Sequence, residues 1–139
     1  MINIVVRQPN EAEFEDVRSY LKKFVLDSSE ATKEQFKVLL YDDKLAAFGR
    51  LKQRKDGTEL CSIGVVEEYR GKKLGEAIVK DILSTINTDV YLVTVIPNFF
   101  KKLGFKETKE YPASLKDKRE NFCEYHHPGD CVTVMKCSH

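Results

Sequence analysis

A loop in the middle of the chain carries the residues whose types and spacing are best suited to chemistry. An apolar run ends at Val66, and the basic, glycine-containing sequence RGKKLG at residues 70–75 leads directly into an amphipathic helix. The first backbone N–H groups of a helix lack partners within the helix, and the helix dipole favours an anion beside them. Gly71 and Gly75 have no Cβ, so a ligand can approach the backbone closely. Because their spacing fits neither the dinucleotide fingerprint nor the P-loop, the sequence predicts a site for a different phosphate compound.

The composition restricts the class of protein. A chain of 139 residues with 42% hydrophobic and 32% charged residues predicts one globular domain covering residues 1–139. A net charge of +1 predicts neither nucleic acid nor a membrane surface as partner, and no apolar stretch approaches the roughly 20 residues of a membrane span. The N-terminal sequence lacks the pattern of a signal peptide, so the four cysteines indicate reduced thiols and a cytoplasmic location.

The hydrophobic pattern predicts an α/β fold with the element order β-α-β-β-β-α-β-α-β-β. The predicted strands cover residues 2–7, 36–41, 45–51, 58–66, 90–95, 105–108 and 131–136. The first predicted helix follows a capping box at Asn10 and Glu13, and the second begins directly after the 70–75 loop. A third, short helix is predicted at 97–103, before Gly104, and the polar segment 111–122 is predicted to be partly helical. Tight hairpin turns are predicted at residues 42–43 and 56–57. The strand at 90–95 is continuously apolar, which predicts a central strand covered on both faces.

The loop and the strand before it resemble the first motif of the GNAT family of N-acetyltransferases. That motif reads Val-x-Pro-x-x-(Arg or Gln)-x-x-Gly-x-(Gly or Ala). Val65, Arg70 and Gly75 match it, whereas Glu67 replaces the proline and Lys73 replaces the middle glycine.

A second motif supports the same resemblance. In the family it commonly ends Phe-Tyr-x-x-Leu-Gly-Phe, and residues 99–105 read FFKKLGF. The likeness in element order extends over nearly the whole chain. It implies a splayed, mixed β-sheet flanked by helices.

The resemblance implies acetyl-CoA as the acetyl donor and a small-molecule amine as the acceptor, with no metal. The strand before the loop would pair its backbone with the pantetheine arm, and amides of the first helical turn would bind the pyrophosphate beside basic side chains. Lysine in place of the middle glycine fits this arrangement if its backbone is αR. A homodimer is compatible with the resemblance, although the sequence specifies no interface. The residues implied in cofactor binding are Ile63, Gly64, Val65, Arg70, Gly71, Lys72, Lys73, Leu74, Gly75, Glu76, Asn98 and Phe100.

Glu59, at the start of the strand before the loop, resembles the general-base glutamate of histone-type members of the family. An ammonium group is not nucleophilic, so attack of an amine on the thioester needs a proton acceptor. The alternative interpretation is that Glu59 is a solvated side chain beside a hairpin turn. In a regular strand Glu59 would share a face with Cys61 and Ile63. The oxyanion would be stabilised by a backbone N–H near Val65.

Phe100 stands where the family commonly has a tyrosine that acts as the acid, and it cannot donate a proton. The thiolate of CoA is still an adequate leaving group, because a thiol has a pKa of about 8.5. With residues 103–115 (LGFKETKEYPASL), Phe100 gives a shorter resemblance to the acetyltransferase domain of bacterial N-acetylglutamate synthases.

Cysteines and histidines gather near the C-terminus, but their spacing fits no standard structural zinc site, so the sequence predicts no metal. Tyr125 and the two neighbouring histidines are alternative residues for the acceptor site, and Cys61 is interpreted as a buried thiol rather than a nucleophile. The C-terminal group is Cys123, His126, His127, Cys131, Cys137 and His139.

Two other functions remain open from the sequence. The missing tyrosine and the lysine at position 73 are compatible with a non-catalytic acyl-CoA-binding module that regulates a partner. Glu59 is also compatible with a protein lysine or N-terminal acetyltransferase. The residues that would select the acceptor follow no readable code.

Overall fold

Seven strands and four α-helices are present in residues 1–120 and 133–138, the part of the chain that the computed structural model describes. The strands are β1 (Ile4–Arg7), β2 (Phe36–Tyr41), β3 (Lys44–Arg54), β4 (Gly57–Val65), β5 (Val90–Thr94), β6 (Lys106–Glu107) and β7 (Thr133–Cys137). The helices are α1 (Glu11–Lys23), α2 (Leu74–Ser84), α3 (Pro97–Lys101) and α4 (Ala113–Glu120), with 3-10 turns at Lys33–Gln35 and Glu67–Tyr69. No α-helix within these ranges combines the length and the apolarity needed to cross a membrane.

The strands form a mixed sheet in the order β1-β2-β3-β4-β5-β7-β6, which helices flank. The pairs β1–β2, β2–β3, β5–β7 and β6–β7 are antiparallel. Strands β4 and β5 are parallel, with Thr58 opposite Val90 and Glu59 opposite Tyr91. A parallel pair needs a crossover connection, and α2 lies in it. The predicted mixed sheet and the predicted order of elements are confirmed, with α4 as the helical part of segment 111–122.

The chain divides into two compact units, of which the first comprises Met1–Leu51 and Cys61–Ile86. Helix α1 begins with the predicted capping box: the Glu13 N–H donates to Asn10 Oδ1 at 2.8 Å, and the Asn10 N–H donates to Glu13 Oε1 at 2.9 Å. Helix α2 packs closely on β3, because a Cβ added at Gly49 would lie 2.6 Å from Ile82 Cδ1. One cluster in the core of this unit contains Phe14, Val17, Leu21, Phe36, Val38, Leu40 and Phe48.

The two hairpins of β2, β3 and β4 differ in how well the sequence predicts them. Asp42 and Asp43 both have left-handed backbone, with φ of 51° and 69°, which confirms the tight turn. Strand β3 continues beyond the predicted end at Leu51 to Arg54, and β4 already begins at Gly57. The second turn therefore lies one residue earlier than predicted, at residues 55–56.

The second unit comprises Lys52–Leu60 and the described residues from Asn87 onward. Helix α3 ends in a Schellman motif: the Phe105 N–H donates to the Phe100 carbonyl, the Gly104 N–H donates to the Lys101 carbonyl, and Gly104 has φ of 96°. Strand β5 is central, as predicted, but it is not covered equally on both faces. Val90, Leu92 and Thr94 are buried, whereas the alternate residues are half-buried. Residues 131 and 132 of the predicted last strand lie outside the described residues.

Candidate functional site

The loop before α2 passes through two left-handed residues, Gly71 and Lys73, before the helix begins. Gly71 has φ of 87°, and a Cβ added there would meet no atom within 4 Å, so the space beside it is open. The first intrahelical bond to Lys73 comes from the Ala77 N–H at 3.1 Å, so the amides of residues 74–76 precede the helical hydrogen-bond pattern. No side chain of the described residues caps this end of α2. A negatively charged oxygen can therefore accept hydrogen bonds from these amides.

Lys73, the N-cap of α2, does not have the αR backbone on which its predicted tolerance depended. Its φ of 61° and ψ of 27° place it in the left-handed region, where a Cβ is sterically unfavourable. The side chain is exposed, and Lys73 forms no ion pair with the described residues. The chain thus adopts at Lys73 the conformation that glycine favours, although it carries a lysine.

Basic side chains give the loop a positive environment. Arg70 Nε donates to the Val65 carbonyl at 3.1 Å, and the guanidinium carbon lies 5.0 Å from the centroid of the Phe24 ring. Lys72 Nζ lies 5.5 Å from the centroid of the Tyr41 ring. The nearby Glu67 carboxylate accepts a hydrogen bond from Lys23 at 2.8 Å, and this bond lowers the pKa of Glu67. Its charge is thereby balanced by a residue outside the loop.

Strand β4, which leads into the loop, is irregular at Ser62. This residue has φ of 55°, so the strand bulges there and the face-sharing predicted for a regular strand does not hold beyond it. The Ser62 hydroxyl donates to the Asp27 carbonyl at 2.6 Å, which fixes the bulge. Two residues later, Gly64 lies against Phe48, whose Cζ would be 2.3 Å from an added Cβ. The bulge and this packing fix the backbone of residues 63–65.

The edge of β4 offers backbone groups to an extended ligand. The parallel ladder with β5 comprises Thr58 and Glu59, and β4 continues beyond these residues to Val65. The next amide, that of Val66, donates to the Ala46 carbonyl at 2.8 Å and is thus already used. An extended arm that adds to a strand edge pairs with backbone groups such as those of residues 63–65.

Arg50 holds the segment after α1, and sequence reasoning missed it. Its side chain is fully buried, with 0% of its surface exposed. Nε donates to Gln35 Oε1 at 2.9 Å, Nη2 to the Ser29 carbonyl at 2.6 Å, and Nη1 to the Asp27 carbonyl at 3.4 Å. The Asp27 carbonyl therefore accepts from both β3 and β4. An arginine in the apolar run of β3 gave no signal of this role, because its partners are distant in sequence.

Glu59 is a buried, ion-paired carboxylate in the second unit. Only 1% of its surface is exposed, so the alternative interpretation of a solvated side chain is wrong. Its Oε1 accepts from Arg54 Nε at 2.8 Å and from Arg54 Nη2 at 2.7 Å, and its Oε2 accepts from Lys118 Nζ. The candidate base thus forms ion pairs with Arg54 and Lys118, and the sequence predicted neither contact.

The second motif lies on α3 and the turn after it. Asn98 is exposed. Phe100 is buried, and its ring lies edge-to-face with those of Phe99, at 4.9 Å between centroids, and Phe105, at 5.7 Å. The ring of Phe100 is therefore a packing element of the second unit, and its contact with a cofactor stays a prediction.

The described thiols are not placed for nucleophilic chemistry. Cys61 and Cys137 are both buried. Burial raises the pKa of the Cys137 thiol, which disfavours the reactive thiolate. Cys123, Tyr125, His126, His127, Cys131 and His139 lie outside the described residues.

Comparison with known proteins adds family information to this geometry. Residues 32–107 match the family model described as an acetyltransferase (GNAT) domain. A stretch of 58 residues is 34% identical to an uncharacterized N-acetyltransferase of Chlorobaculum tepidum, covering 38% of this chain and 37% of that protein.

Solved structures share the fold over almost the whole chain. N-acetylglutamate synthase from Neisseria gonorrhoeae, solved with coenzyme A and N-acetyl-glutamate, superposes with a TM-score of 0.76 at 16% identity, covering 97% of this chain and 35% of the synthase. A Mycobacterium tuberculosis protein solved with CoA and NLQ gives a TM-score of 0.75 at 18% identity, covering 97% of this chain and 99% of that one. The chain thus spans little more than a third of the synthase and of the Chlorobaculum protein.

Proposed function

Because the chain belongs to the GNAT acetyltransferase family, we propose that it transfers the acetyl group of acetyl-CoA to a primary amine by direct attack in a ternary complex. The resemblance drawn from the two sequence motifs is thereby confirmed at the level of the family. The proposal assigns the function to residues 1–139 as one acetyltransferase domain. Acetyl-CoA is a substrate of this reaction, which requires no metal.

The observation that carries the proposal is the uncapped start of α2 after a left-handed loop. The amides of residues 74–76 precede the helical hydrogen-bond pattern, no side chain of the described residues caps this end of α2, and open space lies beside Gly71. Arg70, Lys72 and Lys73 add positive charge, while the neighbouring carboxylates of Glu67 and Glu76 are paired with Lys23 and Lys80. This combination of amides and charge suits the pyrophosphate of CoA.

The chemistry follows from the thioester. The neutral amine nitrogen forms a bond to the acetyl carbon, the carbon–sulfur bond breaks, and the sulfur leaves as thiolate. The proton lost by the ammonium must pass to a base, for which Glu59 is the candidate. The second proton, which the nitrogen loses as the amide forms, neutralises the departing thiolate, directly or through solvent. Phe100 has no proton to donate, so the proposal needs no acid at that position.

Cofactor binding can be tested by a matched pair of glycine variants. Gly71 and Gly104 have similar left-handed backbones, with φ of 87° and 96°, and an added Cβ meets no atom closer than 3.8 Å at either position. Gly71→Ala and Gly104→Ala should each cost about 1–2 kcal/mol of stability through backbone strain alone. Only Gly71→Ala should weaken acetyl-CoA binding, by about tenfold in calorimetric titration. Equal affinities of the two variants, or no binding by the wild type at about millimolar acetyl-CoA, would refute the cofactor site.

Catalysis needs a separate measurement, because binding alone does not show transfer. Amino acids, polyamines, aminoglycosides and peptides are incubated with acetyl-CoA, and CoA thiol release and the mass of the product are followed. We expect release with at least one amine class, and Glu59→Gln should lower the turnover number near neutral pH while leaving acetyl-CoA affinity unchanged. Equal turnover of Glu59→Gln and the wild type would show that Glu59 is not the base.

A non-catalytic acyl-CoA-binding module is the second candidate. Two observations favour it: both oxygens of Glu59 are occupied by cations, and Phe100 replaces a proton-donating tyrosine. This candidate predicts calorimetric binding of acetyl-CoA with no thiol release across the whole amine panel. The panel therefore separates the two functions.

A further inference from the structure

Helix α4 is fastened to the β3–β4 hairpin next to Glu59. The Ser114 N–H and hydroxyl donate to the two carboxylate oxygens of Asp56 at 3.1 and 2.6 Å, and the bond from the hydroxyl lowers the pKa of Asp56. Just before the helix, Pro112 lies so close to the hairpin that a Cβ added at Gly57 would be 2.8 Å from Pro112 Cγ. Leu115 is buried as well. These contacts hold the start of α4 against the hairpin.

One helical turn after Ser114, Lys118 lies on the same face of α4 and donates from Nζ to Glu59 Oε2. The other cation, Arg54, belongs to the hairpin itself and donates to Oε1 from both Nε and Nη2. The two oxygens of Glu59 therefore differ in what covers them. Oε1 is bound by a residue of the same hairpin. The partner of Oε2 belongs to α4, so a movement of α4 away from the hairpin would break this contact.

A carboxylate can take a proton from an ammonium ion only when one of its oxygens can be reached. With 1% of Glu59 exposed and both oxygens engaged, the observed arrangement gives neither an acceptor amine nor water a route to the base. We propose that Lys118 is a positioning residue that holds α4 closed over Glu59, and that its withdrawal frees Oε2 for the acceptor amine. This inference rests on the proposed acetyltransferase function. It adds to that function a gate, formed by Lys118, that controls access of the acceptor amine to Glu59.

The test uses the full chain and three variants. Lys118→Met removes the ammonium group but keeps a long apolar stem, and Lys118→Arg keeps the charge. Lys116→Met is the matched control, since Lys116 is an exposed lysine on the same helix that forms no ion pair with the described residues. Hydrogen exchange of residues 113–120 measures the closure of α4, with the amides of α2 as internal reference. Turnover and the Michaelis constants are measured with the best amine from the panel.

For Lys118→Met we expect exchange in α4 to be about tenfold faster, with α2 unchanged. The turnover number should rise about threefold, because a larger fraction of molecules has an accessible base, while the Michaelis constant for acetyl-CoA stays the same. Lys118→Arg should restore both values toward those of the wild type, and Lys116→Met should change neither. A merely structural lysine would not raise turnover.

The outcomes separate this inference from the proposed function. If the wild type releases CoA but Lys118→Met shows unchanged or lower turnover, the gate is refuted and the acetyltransferase proposal stands. The gate is equally refuted if exchange in α4 is the same in Lys118→Met and Lys116→Met. If no protein releases CoA although α4 exchange responds to Lys118→Met, the acetyltransferase function fails and the contact is an anchor only.

Discussion

Replacing Lys73 by glycine tests the backbone conformation on which the candidate cofactor site depends. Lys73 has φ of 61° and ψ of 27° at the N-cap of α2. A residue with a Cβ costs about 1–2 kcal/mol in this region, whereas the greater freedom of glycine in the unfolded chain costs about 0.4–1 kcal/mol. Lys73→Gly should therefore stabilise the protein by about 0.5–1 kcal/mol, which corresponds to a rise in Tm of about 2–4 °C for a chain of this length.

The assay compares Lys73→Gly with Lys73→Ala in urea unfolding followed by circular dichroism. Both variants lose the ammonium group, but alanine keeps the Cβ, so any difference between them reports the left-handed backbone alone. Alanine should give no gain in the free energy of unfolding. If the glycine variant is no more stable than the alanine variant, Lys73 is not strained, and the described conformation of the loop is wrong.

The same pair of variants distinguishes the effect of the Lys73 charge on acetyl-CoA binding from the steric effect of its Cβ. Both should bind acetyl-CoA about two- to fivefold more weakly than the wild type, since each lacks one exposed cation near the phosphates. If the Cβ of residue 73 narrows the site, glycine should bind more tightly than alanine in calorimetric titration. Unchanged affinity of both variants would show that Lys73 does not contribute to binding.

Three further predictions concern the elements that support the site. Gly64→Ala places a Cβ 2.3 Å from Phe48 Cζ, so it should lower the free energy of unfolding by about 1–3 kcal/mol in urea titrations, and an unchanged midpoint would contradict this packing. Arg50→Met removes three hydrogen bonds from a buried side chain, so it should lower the free energy of unfolding by about 3 kcal/mol or more and speed hydrogen exchange in residues 25–35. A decrease of less than about 1 kcal/mol would contradict the role of Arg50 in holding this segment. The hydrogen bonds from Arg7 lower the pKa of Glu13 from its ordinary value of 4.5, so their stabilisation is present above that value and is lost as the pH falls through the lowered pKa. Glu13→Gln should abolish this part of the loss of stability between about pH 5 and pH 2, and identical acid sensitivity of the two proteins would refute it.

The features that the sequence predicted well depend on neighbouring residues. The capping box of α1, the left-handed turn at Asp42 and Asp43 and the Schellman glycine at position 104 each require only a few adjacent residues. The basic loop before α2 is of the same kind, because glycine, charge and the helix start follow one another directly. Such local signals are sufficient to locate a helix end and the loop for which anion binding is proposed.

The features that the sequence did not predict depend on contacts between distant residues. Lys118 lies 59 positions from Glu59, and Arg50 meets carbonyls of a segment more than twenty positions away. Burial of a charged side chain is decided by such partners, so Glu59 could be read as solvated from its position beside a turn. The bulge could not be predicted either, because its left-handed residue is a serine and not a glycine. A hydrogen bond from the Ser62 hydroxyl to the distant Asp27 carbonyl holds it in that conformation.

The carbonyl of Asp27 has two lone pairs, and it receives donors from Arg50 and Ser62 on two neighbouring strands. Substitutions at positions 50 and 62 should therefore not act independently, because both side chains donate to the same carbonyl oxygen. In a double-mutant cycle the combined loss would differ from the sum of the single losses. Among homologous chains, these two positions would be expected to change together rather than one at a time.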